Sequence, residues 1–138
     1  MIIMTPKITM KEIAPIILRI AISLVFLWFG SQQLMNPQPW TRLVPDAAIA
    51  MTGLSPIAFI LFNGSFEIVF GLCLLFGFFT RATALVLGVH LFLITLSLGL
   101  TAIGIRDFGL SLATISIFFH GMDQFSLDWR IWGRWAQN

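Results

Sequence analysis

The sequence predicts an all-α integral membrane protein, an antiparallel four-helix bundle forming one domain over all 138 residues. Four apolar stretches approach the roughly 20 residues that a bilayer-spanning helix needs. Hydrophobic residues make up 58% of the chain and charged residues 10%, with a mean hydropathy of +0.94. A soluble domain of this length could not hide so much apolar surface. The first two stretches also each contain one charge, Arg19 and Glu67, of opposite sign. A bare charge mid-span costs about 2.5–3.5 kcal/mol, so mutual pairing is the expected solution.

The first span is expected over 13–34, after Lys7, Lys11 and Glu12. Its basic start resembles a signal peptide, but it is too long, contains Arg19 and is followed by no small-x-small cleavage site. It is expected to be retained. A loop over 35–55 is punctuated by Pro37, Pro39, Pro45 and Gly53. Within it Trp40 and Arg42 suit the headgroup region, and 46–51 reads as a short interfacial helix with Asp46 as N-cap. The second span covers 56–79, with Pro56 tolerated in its first turn. Thr80-Arg81 leaves room only for a tight turn. The third span covers 82–100, and a hinge over 101–105 follows. The fourth covers 106–122, its apolar part beginning at Phe108. Arg106-Asp107 reads there as a snorkelling pair at the interface, Asp107 capping the helix. The tail over 123–138 carries Trp129, Trp132 and Trp135 interleaved with Arg130 and Arg134, an amphipathic surface anchor. A short helix is expected over 127–135.

Four spans put the N-terminus, the second loop and the C-terminus on one side, with Lys7, Lys11, Arg81, Arg130 and Arg134. Arg42 and Arg106 face the other side. The positive-inside rule then places both termini in the cytoplasm of a prokaryotic inner membrane. No basic run suggests nucleic acid. The single Cys73 excludes an internal disulfide or a CxxC redox pair.

Each span carries a small-and-polar stripe at helical spacing. These run Arg19, Ser23, Phe26, Gly30, Gln33; then Asn63, Glu67, Phe70, Leu74, Gly77; then Thr83, His90, Ser97, Thr101, Gly104; and Asp107, Ser111, Thr114, Phe118, Gly121. Lipid cannot satisfy polar groups, so the stripes should face one another. At 1.5 Å per residue Glu67 lies roughly 20 Å, His90 about 13 Å and Arg19 about 10 Å from the cytoplasmic end. With Arg19 extended toward the midplane, Arg19, Glu67 and His90 form one expected buried cluster, with Ser23, Gln33 and Asn63 around it. Two readings fit it: a proton-active or ligand-binding site, or a structural ion pair that fixes helix register. His120 sits about 10 Å shallower than His90, too far for the two to share a haem. No metal spacing, phosphate loop or nucleophile triad occurs, so no catalytic residue and no metal ligand is assigned.

The run Leu18-Arg19 through Gly30 to Leu34, then Asn36-Pro37, resembles the opening of the DoxX/DoxD-like membrane proteins. So does Glu67 with Gly71, followed by Leu74-Leu75, Gly77 and Thr80-Arg81. The tail residues Asp123, Ser126, Asp128 and Arg130 lie in or just after a segment similar to the family's Gly-x-Gly-x-aromatic-Ser-Leu-Asp ending. Gln33 stands where the family often has Lys, and Asp123 where it has a second Gly. The resemblance implies a four-helix integral membrane protein. Some relatives are subunits of quinone-linked oxidoreductases, including thiosulfate:quinone oxidoreductase, and others belong to oxidative-stress complexes. Three functions follow as expectations. One is an accessory or scaffold subunit of a redox complex, holding a soluble redox partner at the cytoplasmic face through the tail. The others are a quinone- or lipid-binding protein using the Arg19/Glu67/His90 pocket, and a small proton-coupled transporter. No cofactor is evident beyond a possible quinone, the lipid bilayer is the expected surroundings, and a homo-oligomer is compatible with the sequence.

Overall fold

A computed structural model describes residues 9–133. The chain forms α1 (Met10–Met35), a 3-10 turn (Gln38–Leu43), α2 (Asp46–Thr52), α3 (Pro56–Phe76), α4 (Thr80–Leu98), α5 (Ala102–His120) and α6 (Leu127–Trp132). Among the described residues, α1, α3, α4 and α5 are long and apolar enough to cross a membrane. They form the antiparallel four-helix bundle of an integral membrane protein. Lys7, Arg134 and Trp135 lie outside the described residues, as does the C-terminal part of the helix expected over 127–135.

The helix ends follow capping chemistry. Glu12 accepts from the Thr9 amide at 2.7 Å and so closes the start of α1. Ser55 caps α3 ahead of Pro56, and Thr101 caps α5 by accepting from the Gly104 amide at 3.0 Å. Two expected caps are therefore corrected. Asp46 is the first residue of α2, with Pro45 at the cap position. Asp107 sits in the second turn of α5, because the helix begins at Ala102 and absorbs most of the expected hinge. The turn after the second span also shifts. Gly77, at φ 68°, ends α3, and Thr80 already begins α4. The αL conformation that stops the helix falls on the glycine rather than after Phe79.

α1 packs chiefly on α3 and α4 on α5, while the α1–α5 and α3–α4 seams are slighter. The first pair is intimate because Gly30 and Gly64 meet backbone to backbone. A Cβ on Gly30 would lie 2.8 Å from the Gly64 carbonyl oxygen, and one on Gly64 2.9 Å from that of Gly30. In the second pair Ser111 donates to the Gly88 carbonyl at 3.1 Å. The dry core of Ile22, Phe26, Leu74, Ala84, Leu87, Leu91 and Ile117 is drawn largely from the helix halves nearer the chain termini. The other half, capped by residues 36–55, is less filled.

The stripe expected on α1 lies on that helix's buried face; on α3 and α5 the polar members Asn63, Glu67, Asp107, Ser111 and Thr114 are buried, while Phe70 and Phe118 are only half-buried and Gly77 and Gly121 lie just past the helix ends. The α4 stripe is corrected. Its buried face runs Thr80, Thr83, Ala84, Leu87, Gly88, Leu91, Thr95. Ser97 is exposed and His90 lies on the flank of that face. The small residues of α4 set the packing, and the histidine is left facing the seam between the two helix pairs.

Candidate functional site

The buried groups Arg19, Asp123 and Asp128 form one cluster, and Gln33, Asn63 and Glu67 another. The expected Arg19–Glu67 pair is not formed. Glu67 Cβ packs 3.2 Å from where a Cβ on Gly30 would stand, and Gly30 is about 16 Å along α1 from Arg19. An arginine side chain cannot close that gap. Arg19, 2% exposed, turns instead toward the terminal end of the bundle.

There Arg19 Nε donates to Asp123 Oδ2 at 2.5 Å and Nη2 to Oδ1 at 3.2 Å. Its Nη1 donates to the Leu74 carbonyl at 3.0 Å and also to that of Leu75. One guanidinium thus pairs with the segment after α5 and satisfies last-turn carbonyls of α3, where a cation also suits the helix dipole. The Asp128 carboxylate accepts from the Phe79 amide at 2.8 Å and the Thr80 amide at 2.6 Å, capping the start of α4. Phe79 has φ 47°, an unusual value for a bulky residue, held by this contact. Ser126 caps α6 and lies against Gly77, where an added Cβ would come within 2.3 Å of Ser126 Cβ. Asp123, Ser126 and Asp128 are therefore buried in a clasp over the bundle end, while Arg130 is exposed beside Trp129 and Trp132. Ser23 donates to the Arg19 carbonyl one turn back.

The second cluster lies nearer the 36–55 loop. Gln33 Nε2 donates to Glu67 Oε2 at 3.0 Å. Asn63 Nδ2 donates to Glu67 Oε1 at 3.0 Å and to Gln33 Oε1 at 2.8 Å. This triad spans the α1–α3 crossing just beyond Gly30 and Gly64. His90 Nε2 stands 3.8 Å from Glu67 Oε1, beyond hydrogen-bond reach, and is buried without a partner. Its ring packs on Phe66 at 4.6 Å between centroids.

The triad and His90 border a cavity of about 330 Å³ between the two helix pairs, within the range of small-molecule sites. Its walls are mostly apolar, with Phe26, Phe29, Phe59 and Ile94, and Trp40, Leu43, Val44, Pro45 and Ala48 of the loop complete them. Arg106 and Asp107 also line it. Arg106 donates to Asp107 Oδ1, and its guanidinium lies 4.9 Å from the Phe29 ring centroid, which in turn meets Trp40 at 5.7 Å. The expected Arg106–Asp107 pair is formed, with Arg106 about half exposed. Asp107 is 6% exposed and the pair ties α5 to α1 and the loop beside the cavity.

The structure therefore brings together Gln33, Asn63, Glu67 and His90 from the sequence candidates, and separates Arg19 from them. His120 is the last residue of α5, beside a smaller cavity of about 250 Å³ that also touches Pro15 and Leu18, away from His90. Sequence reasoning missed Asp123 as the partner of Arg19, and Arg106, Asp107 and Phe29 as cavity residues. An unbalanced Asp in the family-like ending was the available signal for the first. For the second, the place of Asp107 on the inward stripe of the fourth span was a signal, whereas Arg106 and Phe29 had none.

Searches of curated proteins and of solved structures each returned no significant match. The DoxX family model matches residues 14–100. That segment runs from α1 to just past α4 and includes Arg19 and the whole Gln33–Asn63–Glu67–His90 cluster. The chain belongs to the DoxX family.

Proposed function

We propose that this protein binds a quinone-class amphiphile, drawn from the bilayer, in the cavity between its helix pairs, and serves as a membrane subunit of a quinone-linked redox complex. The carrying observation is the cavity itself, with aromatic and aliphatic walls and a small polar cluster at one end. An isoprenoid quinone has the matching form, an apolar body with few polar atoms at its head. The slighter α1–α5 and α3–α4 seams lie between the cavity and the lipid, and would give a lipid-soluble ligand a lateral route. The basic-residue count supports an orientation with both termini in the cytoplasm of an inner membrane, so the cavity would sit toward the outer leaflet.

The burial of Asp123, Ser126 and Asp128 leaves them unavailable to a soluble partner, which weighs against docking through those residues. The exposed Trp129, Arg130 and Trp132 of α6 suit a surface anchor. Any partner in a redox complex would meet other surfaces.

The test is solvent extraction of the purified protein followed by mass spectrometry, together with titration of a short-chain quinone against tryptophan fluorescence. Near-stoichiometric quinone and quenching are expected, both reduced by Ala48→Phe, which fills the cavity from its loop side without adding a tryptophan. A protein that neither carries quinone nor responds to it would overturn the reading.

A further inference from the structure

Glu67 and His90 leave a gap of defined chemistry at the polar end of the cavity. A carboxylate has about four acceptor positions. Gln33 and Asn63 occupy one on each oxygen and leave further acceptor positions of the carboxylate open. What remains of Glu67 toward the cavity calls for a donor. Among the described residues His90 Nε2 has no hydrogen-bond partner. The two atoms are 3.8 Å apart, so one oxygen atom can lie about 2.8 Å from both.

We propose that this gap recognises a hydroxyl group on an apolar body, and selects it over a carbonyl or an ether. The inference rests on the proposed quinone reading and deepens it, since the site would prefer the reduced hydroquinone. A hydroxyl donates to Glu67 Oε1 and accepts from His90 Nε2–H in one placement. A quinone carbonyl or an ether oxygen can accept from His90 but offers Glu67 nothing, and sets its lone pairs against the carboxylate. A buried acceptor left without its donor penalises the wrong ligand, which is how polar sites discriminate strongly. The neighbouring ion pair does not fill the gap, because Arg106 donates to Asp107 and rests on Phe29. Phe66, packed on the His90 ring, restricts its rotation.

The experiment measures partition of four probes between lipid nanodiscs holding the full chain and empty nanodiscs, under anaerobic conditions. The probes are decylhydroquinone, its dimethyl ether, decylquinone and dodecanol. Decylhydroquinone is expected to bind at least about tenfold tighter than the ether or the quinone, the worth of one charge-assisted hydrogen bond. Glu67→Gln is expected to abolish that preference, because an amide can donate to a carbonyl. His90→Phe keeps a ring against Phe66 and should weaken decylhydroquinone about tenfold. The probe series needs only the native chain, so it stands even if a variant fails to fold. Equal binding of hydroquinone, ether and quinone overturns hydroxyl recognition while the quinone cavity stands. Dodecanol binding as tightly as the hydroquinone supports hydroxyl recognition and overturns the quinone assignment in favour of a lipid alcohol. Binding of no probe above empty nanodiscs overturns both and assigns the gap to water.

Discussion

Removing Asp123 isolates the consequence of the terminal clasp. Asp123→Ala leaves Arg19 Nε and Nη2 without acceptors in a side chain 2% exposed, while Nη1 keeps the carbonyls at the end of α3. Two buried donors at about 1–3 kcal/mol each give about 2–6 kcal/mol. Soluble buried pairs broken on one side lose about 3–5 kcal/mol, which falls inside that range. Asp123→Asn keeps the shape and one acceptor, and should lose less. Arg19→Met combined with Asp123→Leu removes both charges and should be better than Asp123→Leu alone. The measurement is a double-mutant cycle by reversible unfolding in mixed micelles, followed by circular dichroism. Cys73, half-buried one residue before Leu74, adds a local thiol-accessibility signal for opening of the clasp. A coupling of about 2 kcal/mol or more is expected between positions 19 and 123. Positions 19 and 67 should be additive to within about 0.5 kcal/mol, as distant sites are. Coupling of 19 to 67, with none to 123, would refute the clasp.

Three further outcomes follow from the same geometry. Asp128→Ala removes the acceptor of two amides at the start of α4, and should cost about 2 kcal/mol, the upper end for an N-cap, in the same unfolding assay. Gly64→Leu drives a side chain into the Gly30 backbone, and should destabilise by about 1–3 kcal/mol or more and loosen the Glu67 triad; unchanged unfolding would argue against the crossing point. For the proposed orientation, a Cys73→Ala background carrying Ala47→Cys should label from outside intact cells, whereas one carrying Phe125→Cys should not; the opposite pattern reverses the topology.

The bundle was legible because its cause is compositional. Spans of apolar residues, broken by proline and glycine, leave a membrane helix as the form that satisfies its own backbone. The stripe on α1 was legible for the same reason, since Arg19, Ser23, Gly30 and Gln33 share a face whatever they meet. Their partners were not legible. Helical spacing fixes which face a residue occupies, but the register between helices is set by the Gly30–Gly64 crossing, which no periodicity reveals. Depth counted from the helix ends brought Arg19 within supposed reach of Glu67, yet α3 is placed so that Leu74 and Leu75 lie beside Arg19. Asp123 follows the last span and so reads as part of a surface tail, although the chain turns back there and buries it. On α4, counting polar residues favoured His90 and Ser97, while close packing favoured Gly88 and Ala84.

The two clusters differ in what the protein leaves undone, and that difference supports the proposed function. In the terminal clasp Arg19, Asp123 and Asp128 all find protein partners, at the end of a dry core. The Thr80 hydroxyl is buried there without a partner, but it borders neither of the two cavities described. Near the loop, Gln33, Asn63 and Glu67 satisfy one another, and then a fourth group, His90, is set beside them and left short of contact. A purely structural network would gain by closing that gap, since an unmade hydrogen bond in an apolar interior costs more than a made one returns. The gap instead opens on a cavity walled by aromatic side chains. A half-buried histidine, its Nε2 held short of the Glu67 carboxylate with space beside it for a ring and a tail, is what the proposed membrane-derived ligand would complete.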